Sequence, residues 1–452
     1  MLDEKIAVVT GAGSVTSKPE DMMRHSRQTC TGLLIAVVAT ACGGSDQGRN
    51  SAMHQSSAAI AGSQPSDCPP LETRAPNVPS QRPASAGQTR ACGVTSNVAF
   101  EVVVLAKGLE HPWAVEPLPD GSLLVTEKPG RMRVVSAKGE LGQSIGGVPK
   151  VDARGQGGLL DVALSPGFER DRTIYRSYTE PRPGGNATSV ARGVLTADNR
   201  RLEQVRVIFR AVPAYDGDKH FGSRLAFGPD GKLFVTLGER SDAPMRPQAQ
   251  QLGSDMGKIL RINPDGSVPE DNPFVGRKGA RPEIWSLGHR NVQAAGFDGE
   301  GRLWEVEHGT QGGDELNLIE KGKNYGWPVQ AYGEEYSGQP IPGAATARDG
   351  MEQPVYYWDP VIAPSGLQVY SGDAFPEWRG NLFVGSMQDM LLVRLVLKDD
   401  RVAGEEHLLT DRSQRVRDVR QGPDGALYVV TDMPQGELWK IAPQRKSASA
   451  GS

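Results

Sequence analysis

Five short segments of the chain concentrate polar side chains, four of them beside glycines. In Gly155-Gln156-Gly157-Gly158-Leu159-Leu160-Asp161, one amide sits where glycines allow close backbone approach; a simple turn is the alternative. Asp218-Lys219-His220-Phe221-Gly222-Ser223-Arg224 offers a histidine, the side chain best suited to proton abstraction near neutral pH. A packed histidine would give the same pattern. Trp285-Ser286-Leu287-Gly288-His289-Arg290-Asn291-Val292-Gln293 crowds His, Arg, Asn and Gln together. Such groups are costly to bury without partners, and the arginine suits a ligand oxygen bearing negative charge. Glu305-Val306-Glu307-His308-Gly309-Thr310-Gln311-Gly312-Gly313-Asp314-Glu315-Leu316-Asn317-Leu318 sets carboxylates beside exposed backbone carbonyls, which suits a hard cation. It lacks EF-hand spacing, and a solvated acidic loop is the other reading. Arg415 and Arg417 share one face of a strand and form an anion clamp, unless Asp418 or another acid neutralises them.

These segments need a scaffold, and a repeated cassette supplies one. Leu118-Pro119-Asp120-Gly121-Ser122-Leu123-Leu124-Val125-Thr126 joins a Pro-Asp-Gly turn to a short run of β-formers. Related copies begin near residues 166, 229, 299, 376 and 423. At about 60 residues per copy, each unit has room for a four-stranded blade and its loops. No helix-length apolar periodicity separates the copies. The expectation is an all-β fold, a six-bladed β-propeller of four-stranded blades, with a large β-sandwich as the alternative. In a propeller, function sits on loops at one mouth of the channel.

The rest of the chain is bounded by composition. Its 452 residues include 55 glycines and 33 prolines, an excess that argues against an all-helical protein. A net charge of −4 without a long basic run excludes nucleic acid as an expected partner. The opening Thr10-Gly11-Ala12-Gly13 lacks the further glycines and helix of a dinucleotide site. Met23-Arg24-His25-Ser26-Arg27, the apolar run Leu33–Ala39 and Ala41-Cys42-Gly43 read as an export signal ending in a lipoprotein-type cysteine. Residues 1–42 are thus expected to be an upstream extension and signal. Residues 43–96 should be a flexible Ser/Gly/Pro-rich tether, 97–443 the propeller, and 444–452 a disordered tail. The protein is expected outside the cytoplasm, periplasmic or at the cell surface, with a lipid anchor at Cys42 its only membrane attachment. All four cysteines precede the repeats, and Cys68 and Cys92 could pair in an oxidising compartment.

Taken in order, the polar segments resemble the soluble pyrroloquinoline-quinone-dependent glucose and aldose sugar dehydrogenases. The match is carried by Gly288-His289-Arg290-Asn291, Gly313-Asp314-Glu315-Leu316-Asn317-Leu318-Ile319 and Gly322-Lys323-Asn324-Tyr325-Gly326-Trp327-Pro328. Gly257-Lys258-Ile259-Leu260-Arg261-Ile262-Asn263-Pro264-Asp265-Gly266-Ser267 and Asp271-Asn272-Pro273-Phe274 add to it. The resemblance implies a six-bladed propeller that oxidises the C1 hydroxyl of aldoses. Hydride passes to pyrroloquinoline quinone (PQQ), and an external acceptor then takes the electrons. It implies His220 as general base, Gln156 orienting that base and binding substrate or cofactor, and Arg290 polarising the quinone oxygen. Asn291 and Asp314 would lie at the cofactor, and Arg415 and Arg417 would hold its carboxylates. Calcium would be bound by the backbone carbonyls of Gly309 and Thr310, and a second, structural calcium by Glu315 and Tyr325.

Three positions depart from the family pattern. Lys219 replaces an acid before the base, His308 replaces a glutamine before the metal-binding glycine, and Gln388 replaces a cofactor-contacting lysine. The last change removes a positive charge. Short loops between blades favour broad aldose use over strict glucose use. A calcium-dependent lactonase-type hydrolase and a non-catalytic propeller binding protein are the other functions the sequence allows.

Overall fold

The computed structural model of the protein describes residues 68–444. The expected signal, the expected anchor position Cys42, the first part of the expected tether and residues 445–452 lie outside the described residues. Among those described, 24 strands form six four-stranded antiparallel sheets. This is the six-bladed propeller expected from the repeats.

The six turns of the repeat occupy equivalent places. Each joins the first strand of a blade, which lines the central channel, to the second. The channel strands are Pro112–Pro117, Leu159–Leu164, Leu225–Phe227, Val292–Phe297, Pro364–Val369 and Val416–Gln421. The turn chemistry explains the recurrence. Gly121 and Gly231 have φ of +81° and +72°, which favours glycine. Their N–H groups donate to Leu118 O and Gly228 O, while Asp120 and Asp230 accept from Ser122 N–H and Lys232 N–H. In the second blade a short helix, Phe168–Asp171, takes the place of this turn. Five channel strands share one burial pattern: the first four residues are buried and the last two open toward the turn.

The core is divided among the blades. One apolar cluster, including Leu124, Met132, Leu160 and Ile174, lies between the first and second blades. Comparable clusters fill the succeeding gaps. Val115, Val125, Val430 and Leu438 seal the last blade against the first. The ring closes through the first of the described strands, Phe100–Leu109, which pairs antiparallel with the last of them, Gly436–Pro443. Phe100 stands opposite Pro443.

The expectation of a flexible tether through residue 96 is corrected for residues 68–96. This segment lies along the fourth and fifth blades, with Ala91 buried in their shared core. Cys68 and Cys92 form a disulfide that closes it into a loop. Val94 N–H donates to Glu405 O, and Glu405 N–H donates to Cys92 O. The polar composition is real, but the cross-link and backbone pairing offset the ordering entropy that composition alone suggests is prohibitive.

Candidate active site

The polar segments converge on the channel mouth opposite the repeated turns. There the chain enters each channel strand and leaves each second strand. A cavity of 400 Å³ is lined there by Gln156, Gln388, Arg415 and Arg417, together with Trp113, Lys128 and His308. A larger cleft of 680 Å³ opens at the turn mouth, lined by Glu116, Glu169, Arg420 and others. It contains none of the predicted site residues. A buried floor separates the two: Arg224 donates to Asp161 and Asp418 at 2.7 and 2.9 Å, all three fully enclosed.

His220 sits just before the channel strand of the third blade, 5% exposed and with φ of +48°. Its backbone N–H donates to Gln156 Oε1 at 2.8 Å, so the expected orienting role of Gln156 has a concrete contact. The ring Nδ1 lies 2.8 Å from Glu239 Oε1. Glu239 was not legible as a site residue. Burial pushes its carboxyl up to about 7, against the pull of Arg290 and Arg246. Burial, with Arg290 next in importance, holds His220 well below the ordinary histidine range. With Glu239 ionised, Nδ1–H donates to it and Nε2 carries a free lone pair.

Of the other expected site groups, Arg415 and Arg417 line this cavity, and Arg290 lines a small cleft that shares His308 with it. Arg290 Nη1 donates to His308 O, and its guanidinium lies over Trp327 at 5.2 Å from the ring centroid. Its Nε is buried without a partner among the described residues. Asn291 Oδ1 accepts from Gly222 N–H and Gln293 Nε2, and its Nδ2 is buried without a partner among the described residues. Arg417 is stacked 3.9 Å from the Trp113 centroid and donates to Gln293 Oε1 through Nη2. Its Nη1 is buried and unpartnered, and burial lowers its pKa to about 10, which still leaves it charged at neutral pH. Arg415 differs: its side chain is 40% exposed and lies 3.6 Å from Asp432, which His111 also contacts. Asp418 is absorbed by Arg224 in the floor, so Asp432 is the acid that partly neutralises the clamp.

The metal-type loop follows the second strand of the fourth blade. Asp314 Oδ1 accepts from Gly309 N–H, and Oδ2 accepts from Ile362 N–H and Ala363 N–H. Asp314 therefore positions two loops instead of presenting a free carboxylate, and burial pushes its pKa up to about 6. Glu315 and Tyr325 line one small cleft with Gly309 and Arg290. The Tyr325 hydroxyl donates to Leu318 O and accepts from Glu320 N–H, so its backbone carbonyl is the oxygen left for a cation. Thr310 Oγ1 is buried without a partner among the described residues. His308 Nε2 is 2.8 Å from Pro364 O, and burial lowers its pKa to about 3, which leaves it neutral.

Lys128 is a further cation that the sequence reading did not single out. Its Nζ donates to Gly155 O at 2.6 Å on the cavity wall, beside Gln156. Gln388 lies on the same wall, with its backbone N–H donating to Ile362 O.

Comparison with known proteins follows the same span. The Glucose / Sorbosone dehydrogenase family matches residues 109–440. Aldose sugar dehydrogenase YliI of Escherichia coli is 45% identical over 347 residues, 76% of this chain and 93% of that protein. Quinoprotein glucose dehydrogenase B of Acinetobacter calcoaceticus is 30% identical over 74% of this chain and 85% of its own length. The PQQ-bound aldose sugar dehydrogenase structure from Streptomyces coelicolor superposes with a TM-score of 0.63 at 30% identity. It covers 77% of this chain and 100% of that one.

Proposed function

Since this chain belongs to the Glucose / Sorbosone dehydrogenase family, we propose that it is a quinoprotein aldose sugar dehydrogenase. It would oxidise the C1 hydroxyl of an aldose to the lactone, with pyrroloquinoline quinone as the acceptor and calcium as its metal. One observation carries this reading. Near the buried His220, linked through Gly222, Asn291 and Gln293, three buried donors lack a partner among the described residues: Nε of Arg290, Nδ2 of Asn291 and Nη1 of Arg417. Unsatisfied buried donors are costly, and a flat polyanion supplies the acceptors they lack.

When bound, PQQ supplies an electrophilic two-electron acceptor and calcium polarises it. Arg417, Arg415 and Lys128 would hold its carboxylates, with Lys128 restoring the charge absent at Gln388. Arg290 and Asn291 would meet the quinone edge, and the carbonyls of Gly309 and Thr310 would meet the calcium. His220 Nε2 takes the proton from the sugar C1 hydroxyl. Glu239 keeps the imidazole in the tautomer that can accept it. Gln156 fixes the backbone from which the ring projects.

The same reading places the protein in an oxidising compartment outside the cytoplasm, which the Cys68–Cys92 bond supports. The test is reconstitution of the purified apo-protein with PQQ and calcium, following dye reduction with glucose and other aldoses. Quinone-dependent turnover is expected, and its absence together with absent quinone binding would overturn the proposal. His220→Ala should lower turnover by at least about a hundredfold while cofactor binding persists.

A further inference from the structure

Residues 68–96 precede the family-matched span, which begins at residue 109. Their contacts nevertheless fall on loops inside that span. The disulfide-closed segment reaches the backs of two loops that border the candidate cofactor site. At one end, Arg74 donates through Nη1 and Nη2 to Asp389 at 3.1 and 2.8 Å. Asp389 directly follows Gln388 on the cavity wall. Glu72 anchors the same guanidinium. At the other end, Gln81 makes a two-way bond with Gly333, its Oε1 accepting from the backbone N–H and its Nε2 donating to the carbonyl. Gly333 directly follows Tyr332, which lines the cleft of Gly309 and Glu315.

Between these ends the segment grips Asp359. Asn77 N–H donates to Asp359 Oδ1 at 2.6 Å, and Arg90 Nη2 donates to its carbonyl at 2.8 Å. Asp359 packs against Gly312 of the metal-type loop, so closely that a Cβ there would lie 3.2 Å from its carboxylate. One covalently closed loop thus holds both sides of the site from outside. The exposed Arg74 ion pair adds little energy alone; the backbone and amide bonds do most of the holding.

We propose that residues 68–96 are a disulfide-locked brace that positions the loops 329–334 and 386–389 for cofactor binding. Arg74 and Gln81 act as positioning residues, and opening Cys68–Cys92 loosens the site without opening the ring. The cofactor consequence rests on the proposed quinone function, whereas the loop consequence does not.

The experiment uses the full chain in three forms: native, Cys68→Ser/Cys92→Ser, and Gln81→Ala, which keeps the disulfide. Amide hydrogen exchange is measured on the apo-proteins, followed by PQQ titration in the presence of calcium. In the cysteine variant, exchange in 329–334 and 386–389 should rise about tenfold. Exchange in the strand Leu123–Glu127, remote from the brace, should stay unchanged. The Gln81 variant should show the rise in 329–334 only. PQQ dissociation constants should increase about three- to tenfold in the cysteine variant. Unchanged exchange in both loops would overturn the brace, as would a rise shared equally by Leu123–Glu127. Loop loosening in a protein whose native form binds no PQQ supports the brace and counts against the quinone reading instead.

Discussion

His220 and Glu239 form one titrating unit, because a proton gained by either changes what the other can do. Burial raises Glu239 to about 7 and holds His220 well below its usual range, so the first proton added on acidification goes to the carboxylate. A protonated Glu239 donates to Nδ1, which moves the imidazole proton to Nε2 and removes the base. The expected result is that kcat/KM falls as pH drops through about 7. Glu239→Gln should remove that limb and lower the plateau by about ten- to a hundredfold; a pH–rate profile that keeps the limb would assign it elsewhere. Gln156 and His220 stood out as polar side chains in short polar segments, and the family resemblance supplied their expected roles. Glu239 did not stand out, because Leu237-Gly238-Glu239-Arg240 reads as an ordinary strand end and its partnership exists only after folding. Trp113, which stacks on Arg417, was hidden in the same way.

At the scale of the element, the loop after the fourth blade's second strand shows what local sequence can and cannot reveal. Its glycines and carboxylates were visible, and they do form a tight, carbonyl-rich turn. The role of Asp314 was less accessible, because the N–H groups it accepts from Ile362 and Ala363 belong to a loop distant in sequence. Gly313 has φ of +78°, and a Cβ there would lie 2.4 Å from the Tyr332 carbonyl oxygen. Gly313→Ala should therefore destabilise the protein by about 1–3 kcal/mol, since both the backbone conformation and the contact are disfavoured. Urea unfolding would measure this, and a calcium titration should show several-fold weaker affinity. An unchanged unfolding midpoint would mean that the loop yields without cost. The leader shows the opposite limit. Its composition correctly reads as poor in core-forming residues, yet in residues 68–96 the cross-link and contacts with distant loops fix the chain.

At the scale of the whole molecule, the blade count was legible because most blades reuse a Pro/Asp/Gly-type turn between their first and second strands, and the two that depart from it, with short helices at Phe168–Asp171 and Pro376–Trp378, keep a comparable spacing. The closing strand Phe100–Leu109 was not, since it carries no such turn and pairs with the far end of the chain. A chain starting at residue 68 keeps the closing strand. One starting at residue 111 loses the closing strand and leaves Gly436–Pro443 as an unpaired edge, which promotes association. Size-exclusion chromatography should show aggregates for the second chain only, and a monodisperse product would contradict the role given to that strand. The closure also sets a schedule for biosynthesis. The first strand leaves the ribosome long before its partner is made, so it must wait unpaired while the other blades assemble behind it. The site draws walls from the first blade and the last, so a polypeptide interrupted before its final strand never acquires a finished site. Completion of the chain is in this sense the step that licenses its chemistry.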